Sequence, residues 1–304
     1  MTLEVLCVGV ATVDTITTVT DVPSEDQRIV GDPFTIAGGG PAATAAVTLA
    51  RLGIPVGFCG VVGDDRAGET AIEQLEAEGV NTRWVERRRG ERTTQSFVMV
   101  TKSSGARTIV TSPSLPPAPD ARVVETSRWL HLDQTGFASG FVHEQTVRGR
   151  ARVSLDAGNP IASIDVRGVD LYVPTASALA RDFPGVDLRA RLVAARAAGA
   201  EDVVVTAGAA GSAFLDGDRV VEVPPLAIEP FSTIGAGDVF HGALLAGLVL
   251  GRSMLDSVRL ANVVAALSCR SLDGRSGIPS LEEADAVLPT FVLAPHTPLL
   301  SERN

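Results

Sequence analysis

Apolar residues along this chain fall into short continuous runs that alternate with longer stretches of helical period. Val5–Val10 (VLCVGV) is unbroken by polar residues, as expected of a strand covered on both faces. Pro41–Leu52 (PAATAAVTLARL) follows three glycines and stops at Gly53, which predicts a helix with proline in its first turn and glycine past its end. Val56–Val62 reads as a second strand. Ala67–Glu78 reads as an amphipathic helix with Ile72 and Leu75 on one face, closed by Gly79. The rhythm resumes with strands at Trp129–Leu132, Arg152–Leu155, Asp170–Val173 and Asp202–Thr206, and with a helix over Leu188–Ala198. Two helical patterns, Asp238–Leu250 and Leu255–Leu272, complete it. Strand and helix in alternation predict an α/β fold with a mostly parallel central sheet flanked by helices.

Two segments depart from that rhythm. Residues 12–36 and 92–111 are rich in Thr, Val and Ile and carry turn signals at Pro23-Ser24-Glu25-Asp26 and Ser103-Ser104-Gly105. They read as inserted hairpins that form a small β lid. The core then comprises residues 1–11, 37–91 and 112–304. A projecting sheet has free edges, and a second copy of itself is one way to cover them, so a homodimer through the lid is expected.

Composition narrows the function. The 304 residues are 45% hydrophobic and 20% charged, enough apolar material for a core without staples. A net charge of −10 and only 10 Phe, 2 Trp and 1 Tyr argue against nucleic acid as a partner. The most apolar stretch, Gly242–Gly251, is too short for a membrane span, and no basic region precedes the first apolar run, so a cytoplasmic location is expected. Cys7, Cys59, Cys269 and the four histidines show no metal-ligand spacing and predict no metal site of their own.

The most informative stretch is Ser232-Thr233-Ile234-Gly235-Ala236-Gly237-Asp238-Val239-Phe240. Glycines around Ala236 at a helix start leave backbone N–H groups facing outward, a site for an anion or for charge developing on a phosphoryl group. Asp238 in that first turn suits a general base for an attacking hydroxyl, and read alone it suits a helix cap equally well. Gly38-Gly39-Gly40 provides a second close backbone approach at a helix start. Neither G-x-G-x-x-G nor G-x-x-x-x-G-K-[ST] is present, which excludes the dinucleotide and P-loop fingerprints.

In that order and roughly 190 residues apart, the two glycine elements resemble the two signatures of the ribokinase (PfkB) family of carbohydrate kinases. The resemblance spans essentially the whole chain. It implies ATP with Mg²⁺ as donor, a small-molecule sugar as acceptor, Asp238 as base and Gly235-Ala236-Gly237 as the anion hole. It makes Asp14 the acceptor of sugar hydroxyls. It aligns Thr206, Gly208 and Gly211 with the turn under the ATP phosphates and ribose, and Asn262, Ala265 and Gly274 with the adenine. Three positions depart from the pattern. Ser232 replaces an acid that holds a monovalent cation, Thr175 and Ala178 replace the Asn and Glu of N-x-x-E, and Ala43 replaces a sugar-binding Asn.

GGGPAATAAV, Gly237–Leu244 and Gly274-Arg275-Ser276-Gly277-Ile278-Pro279 further resemble the sulfofructose kinase branch. On that resemblance Arg28 would meet a sulfonate, with Gln95, Thr111, Gln134 and Thr135 around the acceptor. The expectation is phosphorylation of a primary hydroxyl on a ketose or modified sugar such as 6-deoxy-6-sulfofructose. A plain ribose, fructose or nucleoside kinase is the alternative, and outside the class a non-catalytic sugar-binding protein on the same fold.

Overall fold

The structure is a computed structural model and describes residues 3–118, 127–142 and 151–290. Nine strands form the main sheet: β1 (Leu3–Val8), β4 (Val56–Gly63), β5 (Asn81–Arg88), β8 (Ser127–Leu132), β9 (Arg152–Ala157), β10 (Leu171–Pro174), β11 (Asp202–Thr206), β12 (Ser212–Asp216) and β13 (Arg219–Val223). Their order is β13-β12-β11-β10-β9-β8-β1-β4-β5. Pairing is parallel from β11 to β5 and antiparallel through β12 and β13.

The continuous apolar runs are explained by two cores, one on each face. Val5 and Cys7 of β1 join the core under the helices α1 (Pro41–Arg51), α6 (Ala236–Val249) and α7 (Met254–Ser268). Leu6 and Val8, pointing the other way, join Leu130, Leu155 and Tyr172 in the second core. All three cysteines are buried. No described helix is long and apolar enough to cross a membrane.

Several elements lay outside the expected pattern. β5 is a charged edge strand whose alternation is masked by Arg83, Glu86, Arg87 and Arg88, the kind of edge that resists pairing with another chain. β12 and β13 are a hairpin turned at Gly217, which takes a left-handed φ of 60°. Short helices α3 (Gln134–Ala138), α4 (Ala176–Asp182) and α8 (Leu281–Val287) follow side-chain caps at Asp133, Thr175 and Ser280. Between α1 and α6 in chain order also lie α2 (Arg66–Ala77) and α5 (Leu188–Ala197), close to expectation.

A second sheet stands apart, in the order β3-β2-β6-β7, with β2 at Thr12–Val19, β3 at Thr35–Gly39, β6 at Gln95–Thr101 and β7 at Arg107–Thr111. Each segment expected as a hairpin is one, and the two join through a parallel β2–β6 pair. β3 runs on to Gly39, so Gly38 and Gly39 end a strand of this sheet instead of forming a loose connection.

Candidate active site

Strands β1, β8, β9, β10 and β11 are neighbours, and their carboxyl ends lie on one edge of the sheet, where open α/β sheets bind ligands. Val10, Asp133, Asp156, Thr175 and Thr206 follow or end these strands. All but Asp133 line a cavity of about 610 Å³ that the second sheet faces from the other side. That volume is typical of a small-molecule site.

Asp133 builds the floor. It is fully buried, and one carboxylate oxygen accepts from the N–H groups of Val10 (2.7 Å) and Ala42 (3.3 Å). The other accepts from Thr135 and Gly136, at 2.9 Å each. One side chain thus joins the end of β1, the start of α1 and the start of α3. A Cβ on Gly9 would fall inside this carboxylate. Burial, aided by the charge of Asp156, pushes its pKa up to about 6 against those hydrogen bonds.

The glycines of the Gly38–Gly40 turn are required for three separate reasons. At Gly38 a Cβ would overlap the guanidinium of Arg275. At Gly39 it would overlap the carboxylate of Asp14. Gly40 has a φ of 91° and lies against the carbonyl of Val10. Asp14 is buried on β2 and accepts from the Thr12 hydroxyl at 2.6 Å. Burial raises its pKa, while Thr12, Ser96 and Arg275 oppose the rise.

Across the cavity, Gly235 caps α6 with a φ of 70° and offers no side chain to its first N–H groups. A Cβ at Gly237 would meet nothing within 4 Å, and Gly235 packs on Gly274. Asp238, one residue further, lines the cavity. Its pKa is pushed up to about 7 by burial and then by the negative charge of Asp156, with His241 and Arg107 opposing. His241, one turn along α6, places Nε2 3.1 Å from Asp156 Oδ1, with both side chains buried. Behind it the ring of His131 lies 5.8 Å away, its Nδ1 3.2 Å from Ser154 Oγ. Burial first, then the charge of His241, lowers the pKa of His131 to about 3. Arg107, on β7, donates to the Thr233 hydroxyl at 3.1 Å and so ties the second sheet to the turn before Asp238.

The structure gathers Asp14, Gly38, Gly39, Gly40, Thr111, Gln134, Thr206, Gly235, Gly237, Asp238 and Gly274 around this cavity. Other residues expected at the site stand back from it. Arg28 is exposed in residues 20–34, Gln95 is exposed, and Ala43 is sealed within α1. Thr135 is buried and shares a hydroxyl contact of 3.2 Å with Ser114. Asn262 spends its amide on the Ser212 hydroxyl and the carbonyls of Val223 and Pro224, fastening α7 to the β12–β13 hairpin. Ala265 follows one turn later, half-buried. Gly208 opens to space, while Gly211 is demanded by the carbonyl of Val223. Thr175 caps α4, its hydroxyl accepting from the Ala178 N–H at 3.2 Å. Sequence reasoning did not assign Asp133, Asp156, His241, Arg107 or Arg275. Asp133 carried a local signal, an acid directly before a short helix, and His241 and Arg275 lie in stretches quoted for the resemblance without a role of their own.

A family model for pfkB family carbohydrate kinases matches residues 2–131 and 166–281. The chain belongs to that family. This kinase is 23% identical over 295 residues to a ribokinase of Bacillus subtilis, covering 94% of this chain and 99% of the relative. It is 30% identical over 247 residues to an uncharacterized sugar kinase of Archaeoglobus fulgidus, covering 76% and 98%. Its fold matches that of Arabidopsis thaliana ribokinase complexed with ribose and ATP, with a TM-score of 0.81 at 23% identity over 95% and 99% of the two chains.

Proposed function

We propose that this kinase transfers the γ-phosphoryl group of ATP to a primary hydroxyl of a sugar held between Asp14 and Asp238. The observation that carries this reading is the placement of two carboxylates in one cavity, Asp14 from β2 of the second sheet and Asp238 from the first turn of α6, with the uncapped Gly235–Gly237 turn beside the second. That turn fits a phosphate: no side chain caps it, and the space where a Gly237 Cβ would stand is open. When bound, ATP with Mg²⁺ supplies the phosphoryl group and neutralises part of its charge. Mg²⁺ would be held mainly through phosphate oxygens of the nucleotide. Gly235–Gly237 N–H groups would stabilise the transferred group, and Asp238 would take the acceptor proton. Asp14 would orient the sugar by accepting from two hydroxyls. The lid would exclude water, which otherwise competes as the nucleophile.

A neutral acceptor such as ribose, fructose or a nucleoside is favoured over a sulfosugar, because Arg28 stands outside the cavity. Arg107 lines it, and a sulfonate or phosphate on the acceptor would have to meet that residue. A coupled ADP-release assay over D-ribose, D-fructose, ribonucleosides, fructose 6-phosphate and 6-deoxy-6-sulfofructose tests the reading. Sugar-dependent ADP release is expected, with neutral sugars best. Arg28→Ala should leave kcat/KM within about twofold on every acceptor, as for an exposed charge. Tight sugar binding without ADP release would make the protein a binder instead.

The lid also supports a dimer. Ile36, Thr15, Phe97 and Val110 are register partners in one row across β3, β2, β6 and β7. Ile36, Phe97 and Val110 are exposed, and Phe34 packs its ring edge-on against Phe97 at 6.0 Å. Such an apolar face suits a second copy of itself. Light scattering should report a dimer at micromolar concentration and a monomer for Phe97→Asp; a monomeric, fully active wild type would refute the pairing.

A further inference from the structure

Arg275 lies outside the proposed chemistry, yet it is a buried cation directly beneath the sugar-side turn. Its Nη2 donates to the Gly39 carbonyl at 2.6 Å and its Nε to the Thr44 hydroxyl at 3.3 Å. Nη1 occupies the space a Gly38 Cβ would need, next to Gln74 Oε1, a buried acceptor with no partner. Asp14 lies against Gly39, the next residue, so the glycine pair separates a carboxylate facing the cavity from a guanidinium behind it.

The segment carrying Arg275 is itself anchored. Arg51 Nη1 donates to the carbonyls of Arg275 (2.8 Å) and Ile278 (2.9 Å), and the same guanidinium grips Glu78 with two bonds of 2.7 Å. Asp273 accepts from the Arg275 and Ser276 N–H groups at 2.7 and 2.6 Å. Such clamping fixes where the guanidinium sits. Burying a charge whose hydrogen bonds go to neutral oxygens is costly and needs a reason.

We infer that Arg275 is a positioning residue for the sugar site, fixing the Gly38–Gly40 turn through the Gly39 carbonyl and placing a positive charge behind the Asp14 carboxylate that accepts sugar hydroxyls. The electrostatics agree. Burial pulls the pKa of Arg275 down to about 10, and the charge that most opposes this is Asp14, ahead of Glu78, Asp238 and Asp273. Burial raises the pKa of Asp14, hydrogen bonds from Thr12 and Ser96 oppose that rise, and the charge of Arg275 adds a smaller opposition. A neutral residue at 275 removes that opposition, so Asp14 would take up its proton at a higher pH than in wild type, and a protonated carboxyl loses part of its acceptor capacity.

The inference rests on Asp14 being the sugar contact, and the experiment separates the two. Asp14 is titrated by NMR in protein labelled at the aspartate carboxyl carbons, with Asp14→Asn for assignment. Wild type is compared with Arg275→Gln, Arg275→Met, which keeps the aliphatic packing, and Arg275→Lys. The Asp14 midpoint should move up in the neutral variants and return towards wild type in Arg275→Lys. With D-ribose and D-fructose as acceptors, KM for the sugar should rise at least about tenfold in the neutral variants, as for a lost charged hydrogen bond, while KM for ATP stays within about twofold. An unchanged Asp14 midpoint overturns the inference even if thermal stability falls. An Asp14→Asn variant with wild-type sugar KM overturns the sugar-contact reading, and the titration still decides whether Arg275 governs Asp14.

Discussion

Replacing Asp238 with Asn keeps the size and nearly the shape of the side chain while removing its capacity to accept a proton at the carboxylate. If Asp238 is the base, kcat should fall by about 10² or more, the usual contribution of a positioned general base. The KM for ATP should change little, because the N–H groups of Gly235–Gly237 remain. Wild-type kcat/KM should fall as pH drops through about 7, since only the ionised carboxylate accepts a proton and burial beside Asp156 raises its pKa in the free enzyme to that value. The variant should lose this limb. Stability should move the other way. A carboxyl whose folded pKa lies above its unfolded value of 3.8 opposes folding progressively as pH rises between the two, with the full cost present above about 7. The rise from 3.8 to about 7 corresponds to an upper bound of about 4 kcal/mol, reduced by the partial solvent exposure of Asp238. Asp238→Asn should therefore melt several degrees above wild type at pH 8, with the gap closing towards pH 4. Stopped-time ADP assays and calorimetry at the two pH values measure both effects. Turnover within threefold of wild type at pH 8 would refute the base, and an unchanged melting temperature there would refute the buried-charge argument.

Three further outcomes follow from the same geometry. Gly237→Ala should fold with equal or slightly greater stability, because its Cβ meets nothing and alanine favours the helix, yet lose kcat because that Cβ enters the phosphate space; melting and steady-state kinetics measured together check the split. Gly39→Ala should displace the Asp14 carboxylate and raise the sugar KM far more than the ATP KM, read in the same assay with each substrate varied. Asp133→Ala strips four buried backbone N–H groups of their acceptor and should cost several kcal/mol in urea unfolding, even though Asp133 is absent from the cavity wall.

The order of strands and helices was readable in the sequence because each buried element carries its own local period. The VLCVGV run is continuous because both faces of β1 are covered, and the helix after Gly40 opens with Pro41 and closes at Gly53. The two glycine signatures were readable for a similar reason: a backbone that must approach a ligand closely or turn left-handed restricts its residues locally. Elements without such a period escaped, among them the charged edge strand β5 and the β12–β13 hairpin. The site itself depends on distances the chain does not encode locally. Arg275 meets Gly39 across 236 positions and Arg107 meets Thr233 across 126. Asp156 and His241 pair only because the end of β9 packs against the N-terminal half of α6. Arg28 and Asn262, which matched family positions by order along the chain, were redirected by packing: one to an exposed loop, the other to structural hydrogen bonds. Local periodicity is fixed by which face each residue must bury, whereas the neighbours of a buried charge are fixed only when the sheets and helices close around it.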